Sequence, residues 1–373
     1  MTNRFLDLAA AGICGLRPYQ PGKPIAELER EYGVTDIVKL ASNENPLGPG
    51  PRALAAIAVA SGDLARYPDA NGYELKNALA ARHGVTPDCV TLGNGSNDVL
   101  VLLAEVFLRP GLGAVYSRHA FAVYALAVQA AGATHLVADA LPVEDEQPFG
   151  HDLDAMAALV GPETRMVFIA NPNNPTGTWL EAGALEGFIG ALPEHLVVVI
   201  DEAYSEYVRE SDYPETTRWL ARYPNLVVTR TFSKAFGLAG LRMGYAVSSP
   251  EIADLLNRVR QPFNTNSLAQ AAALAALGDE AHLARSVEIN AVGLQRVGQA
   301  CAALGLGVVP SVGNFLLVDM GTEAALLYEA LLREAVIVRP VGNYGLPNHL
   351  RISIGTPAEN DRLIAALNKV LGT

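Results

Sequence analysis

Only five of the chain's twenty-seven basic residues are lysines, and one of them, Lys234, lies in the mostly apolar stretch Phe232-Ser233-Lys234-Ala235-Phe236-Gly237. It follows the β-like run Leu226-Val227-Val228-Thr229, which places the amine in a loop at a strand end. Partial desolvation there lowers a lysine's pKa and leaves a nucleophilic amine, the group that Schiff-base chemistry requires. Ser233 and Arg242 flank it as hydrogen-bond donors for an anion. A lone strand-end lysine also occurs for structural reasons, so its companions decide. Two further apolar runs end in polar clusters. Met166-Val167-Phe168-Ile169-Ala170 leads into Asn171-Pro172-Asn173-Asn174-Pro175-Thr176-Gly177, and Leu196-Val197-Val198-Val199-Ile200 leads into Asp201-Glu202-Ala203-Tyr204. Open α/β sheets build their sites at such carboxyl ends of strands.

Asp201 terminates five apolar residues, so its carboxylate needs a partner to offset desolvation. An arginine or a backbone cap would serve. Gly93-Asn94-Gly95-Ser96-Asn97-Asp98 joins a strand to a helix. Backbone N–H groups at that helix start suit a phosphate, while an ordinary glycine turn with Ser96 or Asn97 as N-cap is the alternative. It is neither a Walker A loop nor a dinucleotide fingerprint, because no Gly-Lys-Ser/Thr follows and Asp98 occupies the third glycine position. Arg339 ends the run Val336-Ile337-Val338, and Arg351 lies within Leu350-Arg351-Ile352-Ser353-Ile354. Arginine inside an apolar strand usually binds an anion, whether a ligand or a nearby Asp or Glu.

The motifs NPNNPTG (171–177), DEAY (201–204) and SKAFGLAGLR (233–242), in this order, resemble those of the fold-type I pyridoxal-phosphate (PLP) aminotransferases, and most of all the histidinol-phosphate aminotransferase branch. The resemblance runs over nearly the whole chain. It implies that Lys234 carries PLP and serves as general acid/base, and that Asp201 partners the pyridine nitrogen. It further implies that Asn174 and Tyr204 donate to the ring's phenolic oxygen, and that Phe121 stacks on the ring where relatives often have tyrosine. Gly95, Ser96 and Asn97 match the cofactor-phosphate loop, where Asn97 departs from the acidic residue common there, and Thr231, Ser233 and Arg242 are further cofactor-binding positions. Tyr67 matches a tyrosine that reaches the phosphate of the neighbouring subunit, which implies a homodimer with composite sites. Tyr19, Arg339 and Arg351 would face the substrate's phosphate or carboxylate. The implied reaction is transamination of histidinol phosphate with 2-oxoglutarate, in histidine biosynthesis. An aromatic amino-acid aminotransferase is the nearest rival, and a PLP-dependent phospho-amino-acid decarboxylase is another. A ligand-sensing regulator would need a DNA-binding extension, and a nicotinamide oxidoreductase would need the missing fingerprint.

These groups must be carried by a scaffold, and the pattern describes one. From Cys89, strand-like segments near 89–92, 113–116, 134–138, 166–170, 196–201, 226–231 and 243–247 alternate with helical patterns such as 96–108, 122–131 and 181–189. Such alternation predicts an α/β fold with a mostly parallel sheet covered on both faces. With the resemblance, it becomes a fold-type I transferase with a seven-stranded sheet and a smaller α+β domain. The expected division is an N-terminal arm (1–47), a large PLP-binding domain (48–260) and a small C-terminal domain (261–373), with strands near 314–319, 335–338 and 349–353 in the last. The net charge of −12 argues against nucleic acid. Three scattered cysteines fit a reducing cytosol. No signal peptide, membrane span or metal-ligand cluster is expected, which points to a cytoplasmic enzyme acting on small molecules.

Overall fold

A computed structural model describes residues 4–19 and 21–372. The arm contributes β1 (Val38–Lys39). The next seven strands are β2 (Val90–Gly93), β3 (Gly113–Ser117), β4 (Thr134–Ala138), β5 (Thr164–Ala170), β6 (Val197–Asp201), β7 (Leu226–Thr231) and β8 (Gly244–Ser248). They form one sheet in the order β2-β8-β7-β6-β5-β3-β4. All neighbouring pairs are parallel except those made by β8, which runs antiparallel to both β7 and β2.

Period-two alternation divides this sheet's side chains between two cores. Val167, Ile169, Val198, Ile200 and Val228 face one core, completed by the helices Tyr73–His83, Ala182–Ala191 and Ser267–Leu277. Met166, Phe168, Val197, Val199 and Val227 face the other, under the helices Ser96–Phe107, Ala122–Ala130 and Pro250–Val259. These side chains are almost fully buried, each contributing roughly 1.5–3 kcal/mol.

Three features of this topology position the site. The sheet order doubles back between β3 and β5, so the segments following those strands flank a crevice at their carboxyl ends. Because β8 returns antiparallel to β7, the connection 232–243 stays at the carboxyl end of β7, and Lys234 lies within it. Finally, Gly244 of β8 lies against the start of the helix Ser96–Phe107; a Cβ there would stand 2.2 Å from the Ser96 backbone nitrogen. Only glycine lets strand and helix approach this closely.

The C-terminal strands are β9 (Gly307–Val309), β10 (Phe315–Asp319), β11 (Val336–Ile337), β12 (Arg339–Pro340) and β13 (His349–Ser353). Four of them form an antiparallel sheet in the order β12-β13-β10-β9. The expected strand at 335–338 is divided. Its first part, β11, pairs in parallel with β1 of the arm, and the chain then re-pairs as β12 with β13. Arg339 therefore opens β12 instead of closing an apolar strand, and it stands directly opposite Arg351. The helix Ser267–Leu277 packs back on Pro51–Ala60. Among the described residues, no helix is long and apolar enough to cross a membrane, and no cluster of His, Cys, Asp or Glu is arranged to hold a metal ion.

Candidate active site

A cavity of about 240 Å³ lies at the carboxyl ends of β5, β6 and β7 and is closed on its other side by the arm and β13. Lys234, Asp201, Asn174, Tyr204, Phe121, Thr231, Ser233, Arg242, Ser96, Asn97, Tyr19, Arg339 and Arg351 all line it. Residues spread over more than 330 positions are thus gathered in one chamber. Two expected site residues are not among its lining. Gly95 stands just behind the wall: a Cβ there would meet Arg242 Nη2 at 2.4 Å, and its φ of +85° favours glycine. Tyr67 is 81% exposed and stacks on Phe263, with ring centroids 4.6 Å apart.

Lys234 Nζ donates to the Ser42 carbonyl at 3.1 Å and lies 5.6 Å from the Tyr204 ring centroid. Burial, and next the neighbouring Arg351, lower its pKa from 10.5 to about 7. The amine is therefore substantially neutral near physiological pH, the state in which it is a nucleophile.

Asp201 accepts from Tyr124 Oη at 2.9 Å and from Thr229 Oγ1 at 3.0 Å. The arginine partner that could have been expected goes elsewhere. Arg230 is bound by Glu202, at 2.9 Å from Nε and 2.6 Å from Nη2. Strand alternation explains the choice, because Asp201 and Glu202 are consecutive. Among the described residues Asp201 forms no salt bridge. Burial raises its pKa to about 6, against the lowering effect of the two hydroxyl donors. A buried carboxylate left without a cation is suited to a protonated ring nitrogen.

The phosphate corner is built on the helix Ser96–Phe107, whose first N–H groups have no partner within the helix. Arg242, at a left-handed φ of +59°, donates to Ser233 Oγ at 3.4 Å and to the Ala239 carbonyl at 3.1 Å. Asp98 would oppose an anion here, but it is turned back, accepting from the Asn94 backbone at 2.8 Å and from Asn264 at 2.9 Å. The donor set at this corner is cationic or neutral, and it fits a phosphate monoester.

The opposite wall is also cationic. Arg351 donates to Asn174 Oδ1 and to the Ala41 carbonyl, each at 2.6 Å. Its Nε is buried without a hydrogen-bond partner, and it forms no salt bridge among the described residues. Since Asn174 Oδ1 is taken by Arg351, its Nδ2 remains to donate. The Arg339 guanidinium lies 5.7 Å from the Tyr19 ring centroid. Like charges placed directly across a strand pair repel, so Arg339 and Arg351 together favour a bound anion. A second cavity of about 610 Å³ shares Tyr19, Phe121 and Arg339 with the first and extends to Tyr116 and Tyr344.

Three contributors escaped sequence reasoning: Tyr124 and Thr229, which hold Asp201, and Asn43, which donates to Tyr204 Oη at 3.0 Å. Thr229 carried a signal, since a hydroxyl ending an apolar run needs a buried partner. Tyr124 follows Phe121 by one helical turn and shares its face. Asn43 looked like an ordinary turn residue.

This chain also resembles known proteins. A model of the family described as aminotransferase class I and II matches residues 35–367. Histidinol-phosphate aminotransferase 2 of Pseudomonas fluorescens (strain Pf0-1) is 57% identical over 373 residues, covering 100% of this chain and 99% of the relative. Histidinol-phosphate aminotransferase 1 of Nitrosococcus oceani is 55% identical over 367 residues, 98% of each chain. Among solved structures, histidinol-phosphate aminotransferase from Sinorhizobium meliloti in complex with pyridoxal-5'-phosphate has a TM-score of 0.89 at 33% identity, covering 97% of both chains. L-threonine-O-3-phosphate decarboxylase from Porphyromonas gingivalis shares the fold, with a TM-score of 0.78 at 23% identity over 90% of this chain and 100% of that one.

Proposed function

The chain belongs to the class I and II aminotransferase family, and on that premise we propose that it transaminates histidinol phosphate with 2-oxoglutarate. In the biosynthetic direction, glutamate and imidazole-acetol phosphate give histidinol phosphate, a step in histidine biosynthesis. The observation that carries this reading is a single cavity holding a near-neutral Lys234, a buried Asp201 without a cation, and two opposed arginines. The full-length relatives named as histidinol-phosphate aminotransferases support the substrate.

When bound, PLP supplies an electron sink for the pair released at the substrate Cα. Lys234 would carry it covalently, with Asp201 at the ring nitrogen, Asn174 and Tyr204 at the phenolic oxygen, and Phe121 on the ring face. Gly95, Ser96, Asn97, Thr231, Ser233 and Arg242 would hold its phosphate, joined by Tyr67 from the partner subunit of a homodimer. As a free amine, Lys234 Nζ would take the Cα proton as general base and deliver it, as general acid, to the C4′ carbon of the cofactor. Arg351 and Arg339, with Tyr19, would orient the substrate through its anionic group and hold the Cα within reach of Nζ. We divide the chain into an arm (1–47), a PLP-binding unit (48–260) and a C-terminal unit (261–373), and place the enzyme in the cytoplasm.

The test is a transamination panel comparing histidinol phosphate with phenylalanine, tyrosine and histidine, each against 2-oxoglutarate. The expected result is ping-pong kinetics with the highest kcat/KM for histidinol phosphate. A clear preference for the aromatic amino acids would replace the substrate assignment with the aromatic reading. Release of carbon dioxide without amino transfer would replace the reaction.

A further inference from the structure

Three consecutive residues of the arm touch three different parts of the cavity. The Ala41 carbonyl accepts from Arg351, the Ser42 carbonyl accepts from Lys234, and the Asn43 side-chain amide donates to Tyr204 Oη. Asn43 is nearly fully buried and adopts a left-handed φ of +53°, which L-residues other than Asn and Asp rarely tolerate. Its other polar groups are fixed by the C-terminal unit. Its backbone N–H donates to Ser353 Oγ at 2.8 Å, its Oδ1 accepts from that hydroxyl at 2.8 Å, and its carbonyl accepts from Asn314 at 3.0 Å.

Because Oδ1 is engaged by Ser353, the atom facing Tyr204 must be the Nδ2 donor. The phenol oxygen accepts from it, and among the described residues no protein group accepts the phenol's own proton. That proton is therefore directed towards the cavity that Tyr204 lines. We infer that Asn43 is a positioning residue that holds the Tyr204 hydroxyl as a donor towards the phenolic oxygen of the cofactor. The inference rests on the functional reading above. Ser353 also stands two positions after Arg351 on β13, on the same face. The strand that binds the substrate anion is thereby tied, through one asparagine, to the group that sets the charge on the cofactor ring.

Asn43→Asp reverses the polarity of this one contact while keeping shape, left-handed φ and the acceptor for Ser353. The facing oxygen becomes an acceptor and draws the Tyr204 proton out of the cavity. Two quantities are measured on wild type and variant: the Kd of the apoprotein for pyridoxal phosphate, and the pH midpoint of the bound cofactor's visible absorbance. Loss of a charge-assisted hydrogen bond predicts a Kd raised about ten- to a hundredfold, and the midpoint should move upward. In a Tyr204→Phe background the same substitution should change Kd less than about twofold, roughly 0.4 kcal/mol, because there is no hydroxyl left to turn. Asn43→Gly, which also accepts the left-handed φ, gives an independent version if the first variant does not fold. It should raise Kd by a smaller factor, again only with Tyr204 present. Unchanged Kd and midpoint in Asn43→Asp overturn the inference, as does an effect undiminished by Tyr204→Phe, which would be plain electrostatics. Wild type that binds no pyridoxal phosphate would instead overturn the functional reading itself.

Discussion

Replacing Lys234 by methionine removes an amine from a site where its charged form is strongly disfavoured, so the apoprotein should become more stable. The shift from 10.5 to about 7 corresponds to about 5 kcal/mol at 1.36 kcal/mol per unit. Loss of the hydrogen bond to the Ser42 carbonyl offsets about 1 kcal/mol, and relaxation around the charge lowers the figure further. We expect a net gain of about 2–4 kcal/mol at pH 6. The sign and window follow from proton linkage. Below pH 7 the lysine is protonated in both states and the folded state bears the whole penalty. From pH 7 to 10.5 the unfolded chain holds a proton that the folded chain has lost, so wild-type stability climbs by up to about 1.4 kcal/mol per pH unit relative to the variant. Above that window the two should converge. Urea unfolding of both apoproteins between pH 6 and 9.5, at one protein concentration, measures the difference directly. Parallel curves, or a variant no more stable than wild type at pH 6, would show that Lys234 is an ordinary solvated lysine and that its nucleophilicity has another origin.

Arg230→Met leaves Glu202 buried without its cation and should cost about 3–5 kcal/mol, read as a fall in the urea midpoint; a change under about 1 kcal/mol would mean that water reaches the pair. Mixing Tyr67→Phe with Lys234→Ala subunits tests composite sites, because hybrids should carry one unmodified site and one dead site. Hybrids no more active than half the Tyr67→Phe homodimer would rule that arrangement out. Arg339→Ala should lower kcat/KM for histidinol phosphate about ten- to a hundredfold through the loss of a charge-assisted contact, and should affect phenylalanine far less. Equal losses for both substrates would favour the aromatic reading.

What the sequence made legible was local. Apolar runs that end in Asn, Asp or a lysine-bearing loop mark strand ends, and β5, β6 and β7 carry Asn174, Asp201 and the Lys234 loop in that manner. What it concealed was pairing at a distance. Asn43 and Tyr204 are 161 positions apart, and Tyr124 and Asp201 are 77 apart; nothing in composition or period connects them. The division of 335–338 escaped for a related reason. An apolar run does not reveal that its two ends hydrogen-bond to different partners, here β1 and β13. Tyr67 was matched by motif, yet within one subunit it rests on Phe263 at the surface.

The adjacency of Asp201 and Glu202 carries a consequence for how the protein must fold. One carboxylate faces the cavity and the other faces Arg230, and only the strand's alternation decides which. A slip of β6 by a single residue against β5 and β7 could re-form a comparable ladder of backbone hydrogen bonds, but it would turn each acid to the opposite face. Glu202 would take the place of Asp201 in the chamber, and Ala203 would stand where Glu202 meets Arg230. Arg230 thus acts as a proofreader of the sheet's reading frame. Its ion pair forms only in the alignment that also delivers Asp201, so a correctly framed strand and a competent chamber arrive together.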